Sequence, residues 1–125
     1  MPHLIIDYTG NLDAQCDMPA LCAALARTLV EFRDGDGQPV FPLHGTRVLA
    51  YPAPHHAVAD GAPERAFVYL NLRITAGRSA ALVTAAGAAL LAQVRAQVAP
   101  LLERGLLRVT LHIDVGQPVY EGKLA

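Results

Sequence analysis

The chain has 125 residues, 53% of them apolar and 17% charged, which suits one folded domain of about 1–125 and excludes a disordered protein. Its 10 basic and 11 acidic residues leave a formal charge of −1, with no basic tail and no Lys/Arg run. Nucleic-acid binding needs a basic footprint, so that class is set aside. Lys123 is the lone lysine. The remaining cations are arginines, whose planar fork suits paired recognition of carboxylates. Two cysteines, Cys16 and Cys22, make neither a disulfide framework nor a metal site. The chain opens without a charged segment followed by a long apolar one, so no secretory signal is expected and the cytoplasm is the default. The most apolar run, Ala80 to Ala92, is too short to cross a membrane.

Met1-Pro2-His3-Leu4-Ile5-Ile6-Asp7-Tyr8 opens the chain. Met1 is commonly removed before a small second residue, and the ring nitrogen of Pro2 is then a free secondary amine. Residues 3–7 read as a buried strand, which anchors an end that otherwise frays. The amine is therefore held in place and is a candidate base or nucleophile; a proline without any role is the plainer alternative. Asp7 to Asn11 forms the exit turn. Asp17 caps a helix with Pro19 in its first turn, and Leu21, Leu25 and Leu29 set its stripe. Asp34-Gly35-Asp36-Gly37 breaks it after Phe32.

Residues 38–45 are irregular, with two prolines. Thr46 to Tyr51 is the second strand, stopped by Pro52, and Pro52 to Pro63 is loop. Residues 66–75 form the clearest strand, with Leu70, Leu72 and Ile74 on one face and Asn71 and Arg73 on the other. Ser79 caps a helix running to about Ala99, with Val83, Leu90, Val94 and Val98 on its buried edge and Gly87 allowing close packing. Pro100 bends or ends it, with one more turn before Gly105. Leu106 to Asp114 is the last strand. The tail from Gly116 has little structure of its own, and its Val119 and Tyr120 are candidates to dock on a neighbouring subunit.

The order is strand–helix–strand twice. Two consecutive βαβ units, about 2–52 and about 66–115, predict an α/β fold: a four-stranded sheet with two helices on one face. The bare face of such a sheet must be polar or meet another subunit, which favours self-association.

A base needs groups that hold the substrate and stabilise developing charge. Arg47, at the start of the second strand, and Arg78, before the long helix, lie at element ends where such groups gather. Each is otherwise a surface ion-pair residue. Beside Pro2, their charges push the proton affinity of the amine down, leaving it neutral near pH 7 without any cofactor or metal. Tyr8, ending the first strand, and His44, beside Gly45, are candidates to touch the substrate. His3 points away from Pro2 and reads as structural. His55-His56 has no further ligand nearby, His112 reads as a sheet residue, and Cys16 has no partner base. No phosphate loop is present.

Three stretches carry a resemblance: Met1 to Tyr8, Phe41-Pro42-Leu43-His44-Gly45-Thr46-Arg47, and Ala66 to Ser79 with its Ala76-Gly77-Arg78-Ser79. Together they resemble the 5-carboxymethyl-2-hydroxymuconate Δ-isomerase branch of the tautomerase superfamily over nearly the whole length. The resemblance implies a processed N-terminal proline base at Pro2, catalytic arginines at Arg47 and Arg78, a homotrimer, no cofactor, and a dienol di- or tricarboxylate as substrate, converted to its keto form. Thr75 and Ala76 depart from the usual glycine pattern, and Leu49 stands where some relatives carry a further arginine. Two alternatives stay open. One is decarboxylation or dehalogenation of a small unsaturated acid on the same scaffold. The other is a non-catalytic oligomeric binder of small carboxylates.

Overall fold

In the computed structural model, residues 1–124 are described. Four strands, β1 (His3–Thr9), β2 (Arg47–Ala53), β3 (Ala66–Thr75) and β4 (Leu107–Gly116), form one sheet in the order β2-β1-β3-β4. Helix α1 (Met18–Glu31) links β1 to β2, and α2 (Ala80–Glu103) links β3 to β4. β1 runs parallel to β2 and β3 parallel to β4, as a crossover helix in each unit requires. The two units meet along an antiparallel seam, with His3 opposite Arg73 and Tyr8 opposite Val68.

Strand parity places the core. Leu4, Ile6 and Tyr8 on β1 and Val68, Leu70, Leu72 and Ile74 on β3 are buried beneath the helices. Leu21, Leu25 and Leu29 of α1 meet them from above, as do Ala86, Leu90, Val94 and Val98 of α2. Gly87 lets α2 approach β4: a Cβ there would sit 3.2 Å from Ile113 Cδ1. Asp17 and Ser79 cap the helices, each accepting from the backbone three residues on, at 3.0 and 3.1 Å. Cys16 and Cys22 are unpaired, and burial pushes both thiols up.

Two boundaries differ from the sequence expectation. β2 continues through Pro52 to Ala53 because it is an edge strand, where a missing N–H breaks no ladder. β1 runs on to Thr9, whose Oγ1 accepts from Phe67 N at 3.3 Å, and a 3-10 turn from Gly10 to Ala14 takes the place of a simple corner. Asn11 Nδ2 then donates to Arg65 O at 2.9 Å and Pro63 O at 3.2 Å, closing this end of the seam. α2 runs 24 residues to Glu103: the further turn expected after Pro100 is present and continues the same helix, because buried Leu101 holds it on the sheet. At that length α2 meets the size and composition criteria for a membrane span, though Ala80 to Ala92 alone does not. Its apolar stripe is occupied by the sheet, and Gln93, Arg95 and Gln97 lie on its exposed side.

The core makes one stability prediction. Leu90 is fully buried, so Leu90→Ala costs about 2–5 kcal/mol. Leu91, on the outer side of the same helix and 42% exposed, changes stability by roughly 0.5 kcal/mol or less as Leu91→Ala. Urea unfolding of the two variants side by side checks the difference.

Candidate active site

The chain's first residues are fixed by the strand that follows them. Pro2 is buried, and its carbonyl accepts from Arg47 N at 3.3 Å, extending the β1–β2 ladder by one bond. Met1 continues out of the sheet into an open cleft of about 440 Å³. Gly45 packs against it so closely that a Cβ there would lie 3.0 Å from Met1 N and 3.4 Å from Met1 O. The short 3-10 turn Leu43–Gly45 is thus the wall beside the chain terminus. With Met1 attached, the terminal amine belongs to Met1 and the Pro2 nitrogen is an amide.

The cleft is cationic. Among the described residues Arg47, Arg73 and Lys123 line it, with Glu121 the one carboxylate side chain. Lys123 Nζ lies 2.8 Å from Glu121 Oε1, and both are exposed. Among the described residues neither Arg47 nor Arg73 has a salt-bridge partner. The amino terminus responds to this setting. Its pKa is lowered from the ordinary 8.0, first by burial, then by the charges of Arg47 and Lys123, with a smaller push from Arg78 and an opposing one from Glu121.

Arg78 follows Gly77, whose φ of 116° turns the chain out of β3 in a conformation that suits only glycine. Its guanidinium is half-buried and held in a fixed pose. Nη1 donates to Thr75 O at 3.0 Å and Thr75 Oγ1 at 3.3 Å, and Nη2 donates to Val40 O at 3.2 Å. The Phe41 ring lies beneath it, 4.9 Å from Cζ to centroid. These partners are neutral, so the charge is oriented without being cancelled. Of the five N–H donors on an arginine, the Nε one and one on Nη2 stay free for an anion.

The sequence candidates are therefore brought together unequally. Arg47 lines the cleft that Met1 enters, and its backbone N–H donates to the Pro2 carbonyl. Arg78 does not line that cleft and reaches the terminus only through the weakest of the charge effects on it. His44 stands exposed on the turn whose Gly45 packs against Met1. Tyr8 does not join them and is corrected. It lies roughly 17 Å along β1 from His3. Its side chain is 4% exposed on the core face, and its hydroxyl donates to Asp13 Oδ1 at 2.6 Å. Burial and that bond push its pKa up to about 12, so it stays protonated as a structural donor. Two cleft residues were not singled out as site residues from the sequence, Arg73 and Lys123. The alternation of β3 already placed Arg73 on the bare face, but only the register sets it opposite His3. The tail from Gly116 to Lys123 folds back along the cleft, while Val119 and Tyr120 remain exposed. Among the described residues, no cluster of three or more His, Cys, Asp or Glu side chains could hold a metal ion.

Known proteins share this fold. The family model for 5-carboxymethyl-2-hydroxymuconate isomerase matches residues 2–125. An Escherichia coli protein named 5-carboxymethyl-2-hydroxymuconate Delta-isomerase is 31% identical over 123 residues, covering 98% of this chain and 93% of the relative. A crystal structure of a 5-carboxymethyl-2-hydroxymuconate delta-isomerase superposes with a TM-score of 0.92 at 47% identity, covering 100% of this chain and 89% of the other. A 5-carboxymethyl-2-hydroxymuconate isomerase from Deinococcus radiodurans R1 gives a TM-score of 0.85 at 32% identity, covering 98% of this chain and 88% of its own. The chain belongs to the 5-carboxymethyl-2-hydroxymuconate isomerase family, and is an isomerase of the tautomerase type.

Proposed function

We propose that the chain ketonises a dienol carrying two or more carboxylates, of the 5-carboxymethyl-2-hydroxymuconate kind, with the Pro2 nitrogen as base once Met1 is removed. The observation that carries this reading is the position of the terminus: an amine of lowered proton affinity in a cleft lined by Arg47, Arg73 and Lys123. Removing Met1 would make the Pro2 nitrogen the chain terminus, one residue from where the Met1 amine meets those charges.

The steps balance as a proton transfer. Neutral Pro2 takes the proton of the 2-hydroxyl, and the oxygen becomes a carbonyl as the conjugated electrons shift along the chain. The protonated amine returns a proton to carbon at C5. Arg78, with two free donors, binds the negative charge that builds on the 2-oxygen and the adjacent carboxylate. Arg47 holds a carboxylate, and its charge, after burial, lowers the proton affinity of an amine at the chain terminus. No cofactor takes part. The sheet's bare face carries Ile5, Leu49, Tyr51 and Tyr69 between its polar residues, which supports assembly with further copies, as a homotrimer.

The direct test is ultraviolet-monitored ketonisation of 2-hydroxymuconate by protein whose intact mass shows that Met1 is gone. Acceleration well above the uncatalysed rate is expected; none, across several dienols, ends the reading. The pH profile tests the base. The neutral amine is the active form, so activity rises with pH through its pKa. Removing a neighbouring positive charge raises that pKa. Arg47→Met is therefore expected to move the acid limb of kcat/KM to higher pH, whatever it does to KM.

A further inference from the structure

Arg73 is the cleft cation that the proposed proton transfer does not use. It sits at the strand position opposite His3, on the face that carries Arg47 on the other side of His3. Two strand spacings separate the backbones of Arg47 and Arg73, roughly 10 Å, with the chain terminus issuing from the strand between them. Thr75, whose carbonyl and hydroxyl hold Arg78, is on the same face of β3 two residues further on, roughly 7 Å.

The surroundings leave Arg73 free to act on a ligand. It is exposed to the cleft and has no salt-bridge partner among the described residues. The nearest carboxylate by register is Asp114 on β4, and its Oδ2 accepts from Asn71 Nδ2 at 2.7 Å. Lys123 reaches the same cleft from the tail, where an exposed contact with Glu121 holds it. Exposed ion pairs of this kind exchange at little cost. Among the described residues the cleft thus has cations on two sides of the terminus and one carboxylate side chain, on the tail.

We infer that Arg73, joined by Lys123 from the tail, binds the substrate carboxylate remote from the reacting 2-hydroxyl, and so sets the preference for di- and tricarboxylates over monocarboxylates. Arg47 and Arg78 engage the end of the molecule where the proton moves. Arg73 engages the other end, and Lys123 exchanges Glu121 for the incoming carboxylate. The inference rests on the proton transfer proposed at Pro2, and the experiment separates the two.

The readout is selectivity. Processed wild type, Arg73→Met and Arg73→Lys are assayed with 2-hydroxymuconate, which has two carboxylates, and with 2-hydroxypenta-2,4-dienoate, which has one. The ratio of kcat/KM for the first over the second is expected to fall about 10- to 100-fold in Arg73→Met, chiefly through KM, and to recover in part in Arg73→Lys. Lys123→Ala, outside the sheet, is expected to lower the same ratio by less. Equal losses on both substrates, or an unchanged ratio, overturn the inference. Should wild type turn over neither dienol, the reading at Pro2 fails and the inference is decided by calorimetry. Adipate then binds wild type more tightly than hexanoate does, and Arg73→Met abolishes the difference. Equal binding of the two acids, or a preference that survives in Arg73→Met, overturns it.

Discussion

Pro2→Ala lowers kcat for dienol ketonisation by about 10²–10⁴, the usual contribution of a positioned general base. Alanine at position 2 still permits removal of Met1, so the variant keeps a terminal amine and loses the ring that fixes it. The β1–β2 ladder survives, because the bond at this position uses the carbonyl of residue 2, which alanine retains. Thermal melting is therefore expected to change little while turnover collapses. A companion preparation that retains Met1 sharpens the result. There the Pro2 nitrogen is an amide without basicity and the cleft is partly filled, so activity falls to the same low level with the native residue in place. If the Met1-bearing protein were as active as the processed one, the base would have to be another group.

Arg78→Ala is the second large effect, a loss of about 10²–10³ in kcat, as for removal of one preorganised donor set from a developing oxyanion. Part of that loss has a structural origin, since the side chain also ties Thr75 to Val40 and covers Phe41. Arg78→Lys separates the contributions. Lysine keeps the charge but offers a point ammonium in place of a planar fork, and it cannot bridge Thr75 and Val40 while presenting two parallel donors. We expect Arg78→Lys to hold the melting temperature nearer to wild type than Arg78→Ala does, with kcat still down about tenfold or more. Activity that tracks stability across both variants would make Arg78 a structural clip.

Much of the scaffold around the candidate site was legible from residue order because it depends on local signals. Leu70, Leu72 and Ile74 alternate over a long strand, Asp17 and Ser79 stand where caps belong, and Gly77 marks the turn that aims Arg78. Tyr8 shows a local signal left unused. It shares strand parity with Leu4 and Ile6, and that parity sends it into the core. Arg73 needed non-local information: its face follows from alternation, but its nearness to the chain terminus depends on the antiparallel register between β1 and β3. The tail was illegible for a different reason. Gln117 to Lys123 has no periodicity, yet it forms one wall of the cleft, facing Met1, Arg47, Arg73 and Thr75. Pro52 misled: it is a strong local breaker, overridden by its edge position. Pro100 left the helix end open between a bend and a stop, and the burial of Leu101 decides for continuation.

The antiparallel seam has a consequence for stoichiometry. It relates the two βαβ halves by an approximate twofold axis, so the place of Pro2 in one half corresponds to the start of β3 in the other. There the nitrogen of Ala66 is an ordinary peptide N–H, donating to Leu106 O at 3.1 Å, and Asn11 fastens the chain before it. Two equivalent positions exist in the architecture, but a polypeptide has only one beginning. Near-symmetry of the backbone therefore offers a free amine at one of the two positions alone, so the chemistry proposed at Pro2 would occur once per chain. The duplicate end is closed by the hydrogen bonds of Ala66 and Asn11.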